Sequence, residues 1–166
     1  MRTSTRYISI FLAAALLTTG TAWSGDKAQR LKKEALTNPE FPDFTSIFNW
    51  GLKLKNFKEL TFFAGVAAQL PDLTVVAPGD AVGQTDFVLN QLDNFLANNG
   101  YSRDDIVRVE FTLTNEVGPD EFNAILGRFV EYFADVAVKP AAGTLRFVDA
   151  LAFPGLLVEY EVWAAR

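Results

Sequence analysis

Two apolar helical stripes with one strictly alternating strand between them constrain this chain more than any other feature. Thr85, Val88, Leu89, Leu92, Phe95 and Leu96 fall at i, i+3, i+4 and i+7 spacing, which sets them on one face of a helix. Asn98-Asn99-Gly100 supplies its stop, because glycine readily takes the left-handed conformation that ends helices. Residues Ile106–Thr114 then alternate: Val107, Val109, Phe111 and Leu113 share one face, and Arg108, Glu110, Thr112 and Thr114 the other. Gly118-Pro119-Asp120 opens a second helix, with proline where a missing N–H costs nothing. Its stripe is Phe122, Ile125, Leu126, Phe129, Val130 and Phe133. Three elements that are each apolar on one side must bury those sides together, so both helices belong on one face of a sheet.

The remaining strands fill out that sheet. Phe48–Lys55 and Leu60–Ala67, joined by Asn56–Glu59, read as a β-hairpin. Residues 69–83 hold two Pro and two Gly and read as a loop with room for a short edge strand. Thr144–Ala150 and Leu156–Ala164 close the chain. The order is β-β-α-β-α-β-β, an α+β layering of two helices on one mixed sheet. At 166 residues and 49% hydrophobic, the chain has material for one well-filled core. In the last strand Val158, Tyr160, Val162 and Ala164 are expected to face the helices, with Leu157, Glu159, Glu161 and Trp163 opposite. That second face is too apolar for plain solvent and too charged for a core, so it is expected to be an oligomer interface with ligand clefts between subunits. The neighbouring carboxylates of Glu159 and Glu161 are expected to face water or arginine partners.

The N-terminus reads as an address. Arg2 and Arg6 precede an uncharged apolar stretch, Ile8–Leu17, too short to span a bilayer of roughly 30 Å. Small residues follow, allowing cleavage after Ala22 or Ser24. Residues 1–24 are therefore expected to be a signal peptide, 25–47 an N-terminal extension and 48–166 the domain. The mature chain is expected to be exported, periplasmic or secreted. Residues 26–37 are expected to form a surface helix or a mobile extension, with Arg30, Lys32 and Lys33 on a solvated face. Lys53, Lys55 and Lys58 are expected at exposed hairpin positions.

Composition narrows the chemistry. The chain has no Cys and no His, which removes disulfides, thiolate nucleophiles, Ser-His-Asp triads and the commonest transition-metal ligands. No metal and no cofactor are expected. Removing residues 1–24 leaves 13 cations against 20 acids, a net charge of −7. That balance argues against nucleic acid, and against a membrane surface once the signal is cleaved.

From about Phe48 onward, ordered motifs resemble the Rid (YjgF, reactive-intermediate deaminase) family. They are Phe62-Phe63-Ala64-Gly65 with Gln69-Leu70-Pro71, Gln84-Thr85, Phe95–Gly100, Asp104–Val109, Phe122 with Tyr132-Phe133, Pro140-Ala141, and Leu157-Val158-Glu159-Tyr160-Glu161. The resemblance implies a chorismate-mutase-like fold, a homotrimer around a sheet barrel and ligand clefts at the subunit interfaces. It also implies cofactor-free hydrolysis of enamines and imines to ammonia and a 2-oxo acid. In that family an Arg in a Pro-Ala-Arg motif clamps the substrate carboxylate, and a closing-strand Glu positions or activates water.

Carried over residue by residue, most of that set is replaced. The clamp position reads Ala142, the Ser before Gly is Ala64, the helix Asn is Leu126, and the first-strand Tyr is Trp50 or Phe48. Glu159 survives as the one catalytic candidate. Losing a charge-assisted contact costs about 1.5–3 kcal/mol. Arg146, four residues past Ala142, sits roughly 13 Å further along a regular strand and is expected to pair with Glu159 or Glu161. The ligand cleft is therefore assigned to Trp50, Ala64, Leu126, Phe129, Ala142 and Arg146. It suits a neutral or cationic apolar ligand better than a small 2-imino acid. Three functional readings stay open, in this order: a small-molecule-binding trimer without standard deaminase activity, a hydrolase on an unusual substrate using Glu159, and a structural or partner-binding module.

Overall fold

The computed structural model describes residues 31–166, so the expected signal peptide and the start of the extension lie outside the described residues. The elements are β1 (Lys32–Leu36), β2 (Gly51–Lys55), β3 (Leu60–Phe62), β4 (Val66–Ala67), α1 (Ala81–Asn98), β5 (Ile106–Thr114), α2 (Pro119–Tyr132), β6 (Ala141–Val148) and β7 (Val158–Ala165). Two helices pack on a five-stranded mixed sheet ordered β3-β7-β5-β6, with β4 also on β7. β5 runs parallel to β6 and antiparallel to β7. The α+β class and the two-helix layering are as expected.

Each helix starts on a named cap. Asp80 accepts from the Gly83 N–H at 2.8 Å, which starts α1 four residues before Thr85, the first residue of the expected stripe. Glu121 reaches back to the Gly118 N–H at 3.0 Å, and Pro119 takes the first helical position of α2. Gly100, at φ +77°, turns the chain out of α1.

The core lies between the helices and one sheet face. Val158, Tyr160, Val162 and Ala164 of β7 are buried there together with Val88, Leu92, Leu96, Ile125 and Phe129 from the helices. Gln84, 0% exposed, is the main polar pin: its amide donates to the Gly155 carbonyl at 2.7 Å and accepts from the Leu157 N–H at 2.7 Å.

Several local expectations fail for tertiary reasons. The 26–37 segment is no helix in its described part; Lys32–Leu36 is a strand paired antiparallel with β2, from Lys32↔Lys55 to Leu36↔Gly51. That pairing replaces the expected hairpin, because β3 and β4 instead bind β7. Lys33 is not on a solvated face: its ammonium donates to the Asp104 carbonyl at 2.7 Å, and burial lowers its pKa against the pull of Asp104 and Asp105. In β5, Ile106 faces Ala164 while Arg108 faces Trp163, so Val107 is an extra residue in a bulge. The bulge puts Ile106 with Val109 in the core cluster and leaves Val107 outside it, contrary to strict alternation. Leu157 precedes β7 and is buried in the core rather than on the outer face.

Replacing Gln84 by Leu would keep the volume but orphan the Leu157 N–H and the Gly155 carbonyl. Chemical denaturation should show a loss of about 3 kcal/mol, whereas an exposed change such as Asn90→Ala should cost under about 0.5 kcal/mol.

Candidate functional site

Three elements and the segment before β2 enclose an apolar cavity of about 420 Å³. The segment contributes Phe44, Ile47, Phe48 and Trp50; β6 contributes Ala142, Gly143 and Leu145; α2 contributes Phe122 and Leu126; β5 contributes Phe111. The segment is folded onto β6 by backbone bonds: Asn49 N–H donates to the Pro140 carbonyl at 2.8 Å, and Ala142 N–H donates to the Asn49 carbonyl at 3.2 Å. The Asn49 side chain, buried, donates to the Lys139 carbonyl at 2.7 Å. Aromatic rings then pack edge-on or tilted against one another: Phe41 on Trp50 at 4.9 Å, Phe44 on Phe48 at 5.3 Å, and Phe48 on Trp50 at 5.8 Å. Trp50 is 43% exposed and forms part of the rim, with its indole N–H donating to the Pro42 carbonyl at 2.9 Å.

The expected cleft residues separate into groups. Trp50, Leu126 and Ala142 converge on this cavity. Phe129 does not: it is 1% exposed and packs edge-on against Phe111 at 4.7 Å and Tyr160 at 4.9 Å, so it is core. Its neighbours Phe122 and Leu126, further round the helix, take the cavity positions that its stripe position suggested for it. Arg146 does not enter either. Leu145 faces the cavity, so period-2 alternation sends Arg146 to the opposite sheet face, where it pairs with Glu110 at 2.6 Å rather than with Glu159 or Glu161.

That opposite face carries its own charged constellation. Glu110, 9% exposed, also binds Arg108 at 2.7 Å. Hydrogen bonds from Arg108 and, less strongly, Arg146 hold its carboxyl below the usual range against the opposing effect of burial. Arg108 lies over the Trp163 ring at 4.9 Å, and Trp163 donates to Glu161 at 2.7 Å. The Glu110 stem crosses Gly143, where an added Cβ would stand 2.4 Å from its Cγ. Glu159 crosses Gly65 in the same way, with an added Cβ only 2.1 Å from its Oε1. Ala64 is exposed beside that glycine. Glu159 has no hydrogen-bond partner or ion pair among the described residues. No group of three or more acidic side chains able to hold a metal occurs among the described residues.

Glu110 carried no sequence signal beyond its place on the polar face of β5, since its importance comes from strands β5 and β6 meeting in parallel. Phe44 and Ile47 were equally invisible, lying in the expected extension. The clue available was the aromatic density of Phe41, Phe44, Phe48 and Trp50 within ten residues.

The profile of the family described as Endoribonuclease L-PSP matches residues 49–166. The chain belongs to this family. Among solved structures, the Rid-family protein YyfB of Yersinia pestis is 25% identical, covers 81% of this chain and 98% of its own, and superposes with a TM-score of 0.71. Yeast Mmf1 is 21% identical over 81% of this chain and 99% of its own, with a TM-score of 0.54. Rv2704 of Mycobacterium tuberculosis, from the YjgF/YER057c/UK114 family, is 20% identical over 81% of this chain and all (100%) of its own, with a TM-score of 0.52. No curated protein sequence matches the chain. The family match takes in β2 and every later element, and the similar structures, covering 81% of the chain, extend further into the segment that carries Phe44, Ile47 and Phe48.

The Glu110 pair sets an acid sensitivity. A carboxyl whose folded pKa is lowered adds stability that is present above the unfolded value of about 4.3 and is lost as pH falls through the folded value. Glu110→Gln should therefore cost about 1–3 kcal/mol at pH 7 and fall off less steeply than the parent between about pH 5 and pH 3, as read by denaturant midpoints.

Proposed function

We propose that the chain is an exported homotrimer of the Rid family that binds an apolar small molecule in the cavity behind Trp50 and does not deaminate 2-imino acids. The observation that carries this reading is the lining at the clamp position: Ala142 and Leu126 stand where the resemblance implies an Arg and an Asn, and every other lining residue is apolar. A substrate carboxylate entering there would shed its water and meet no donor, at a cost of several kcal/mol. The same lining offers nothing to a phosphate, so the ribonuclease activity suggested by the family's description finds no support at this site.

The trimer is inferred from family membership and from the mixed face bearing Phe62, Trp163, Arg108 and Glu110. Phe62 is 61% exposed on that face and packs edge-on against Trp163 at 4.8 Å. Export is inferred from Arg2, Arg6 and the apolar stretch that follows. A second reading has one observation in its favour. Among the described residues nothing engages the Glu159 carboxylate beside Gly65, as suits a residue that orients a hydrolytic water, so a hydrolase on an unusual substrate is the alternative.

The purified protein should release no ammonia from freshly generated 2-imino acids above the uncatalysed rate, and Ala142→Arg should raise that rate. Turnover in the parent would overturn the reading, and its loss in Glu159→Gln would establish the alternative. Light scattering should give three times the chain mass, and the exported form should begin at Trp23 or Gly25 by N-terminal sequencing.

A further inference from the structure

We propose that the cavity selects a flat, uncharged aromatic ring system, and that residues 41–50 form the wall responsible for the selection. This inference rests on the reading of the cavity as a ligand site and specifies its ligand. The one lining side chain with a polar atom is Trp50, and its N–H is already taken by the Pro42 carbonyl at 2.9 Å. At the base, the Ala142 N–H is taken by the Asn49 carbonyl at 3.2 Å, and the Asn49 amide by the Lys139 carbonyl. A charged or strongly polar guest would lose its hydration with no partner to replace it.

Aromatic walls can also hold an organic cation over their ring faces. The nearest charges argue against that occupant here. Glu110 lies across Gly143, which lines the cavity, but Arg108 and Arg146 both bind Glu110. With Glu161 directly opposite Glu110 on β7, the cluster holds two guanidiniums against two carboxylates and offers no uncompensated negative charge to a cation next door. An anion gains no contact from it, because both guanidiniums lie on the far side of the sheet.

Shape comes from the wall. Phe44, Phe48 and Trp50 present rings to one another at 5.3–5.8 Å centroid distances, with Phe48 and Trp50 at 88°. Phe111 and Phe122 stand among the lining residues from β5 and α2. A planar ring inserted between these walls gains edge-to-face and offset contacts beyond the area it buries, which a globular aliphatic guest of the same volume does not. The volume of about 420 Å³ lies within the range of small-molecule sites.

Calorimetric titration of the purified protein with four matched probes tests this. 2-Naphthalenemethanol should bind at least about tenfold tighter than 2-naphthoate, 2-naphthylmethylammonium or 1-adamantanemethanol. Phe44→Leu, which keeps apolar volume but removes a ring, should weaken naphthalenemethanol about fivefold and leave adamantanemethanol unchanged. Trp50→Ala should weaken both, with circular dichroism confirming the fold. Equal binding of adamantanemethanol and naphthalenemethanol would overturn the aromatic selection while leaving an apolar ligand site in place. A charged naphthalene binding as tightly as the alcohol would overturn the exclusion of charge. Failure of all four probes to bind would overturn this inference together with the cavity's role as a ligand site.

Discussion

Strand β7 is the constraint from which the rest of the molecule follows. It pairs with β3 and β4 along one edge and with β5 along the other, so three strands hang on its backbone. Its inward side chains meet both helices. The Tyr160 ring packs on Phe129 at 4.9 Å and on Phe111 at 5.7 Å, while its hydroxyl meets Thr85 of α1 at 2.7 Å. Burial raises the Tyr160 pKa far above the ordinary phenol range, so the group stays a neutral hydrogen-bond partner at any physiological pH. One side chain thereby ties strand, α1 and α2 into a single packed unit.

The period-2 geometry of the same strand makes its other face equally determined. With Tyr160 and Val162 inward, Glu159, Glu161 and Trp163 must point away from the helices. Charges on that face are kept close to the backbone by glycines: Gly65 lies beneath Glu159 and Gly143 beneath Glu110. Any larger residue at either position would displace a carboxylate. The two arginines of the face are spent on Glu110, and this has a consequence on the opposite side of β6. Arg146 is committed away from the cavity, so no guanidinium compensates for Ala142 there.

The proposed ligand site is therefore an apolar cavity within a Rid-family fold. The chain matches the family over residues 49–166, and the cavity lining in that range, Leu126 and Ala142 included, is hydrocarbon. The preceding segment supplies the rest of the lining. It is anchored by β1 pairing with β2 and by the Asn49 bonds to β6, which set Phe44, Phe48 and Trp50 at the mouth. Phe44, Ile47, Phe48 and Trp50 are thereby built into the wall of the cavity.

Periodicity alone determined the two helices, the strand between them and the inward face of β7, because each of those elements buries one stripe against a common core. Motif order likewise carried the family, which the match over residues 49–166 shows. Tertiary structure decided what depends on partners distant in the chain. Lys32–Leu36 became a strand because an antiparallel edge at Gly51–Lys55 was available, overriding its helix-compatible composition. Leu60–Phe62 and Val66–Ala67 joined β7 and not a local hairpin, since the edge of β7 offers them an antiparallel backbone ladder. Phe129 and Phe122 share one helical stripe, and only the position of β5 and β7 beneath α2 sent the first to the core and the second to the cavity. The ion pair of Arg146 with Glu110 required the parallel register of β5 and β6, a relation between strands that no local pattern in the sequence encodes.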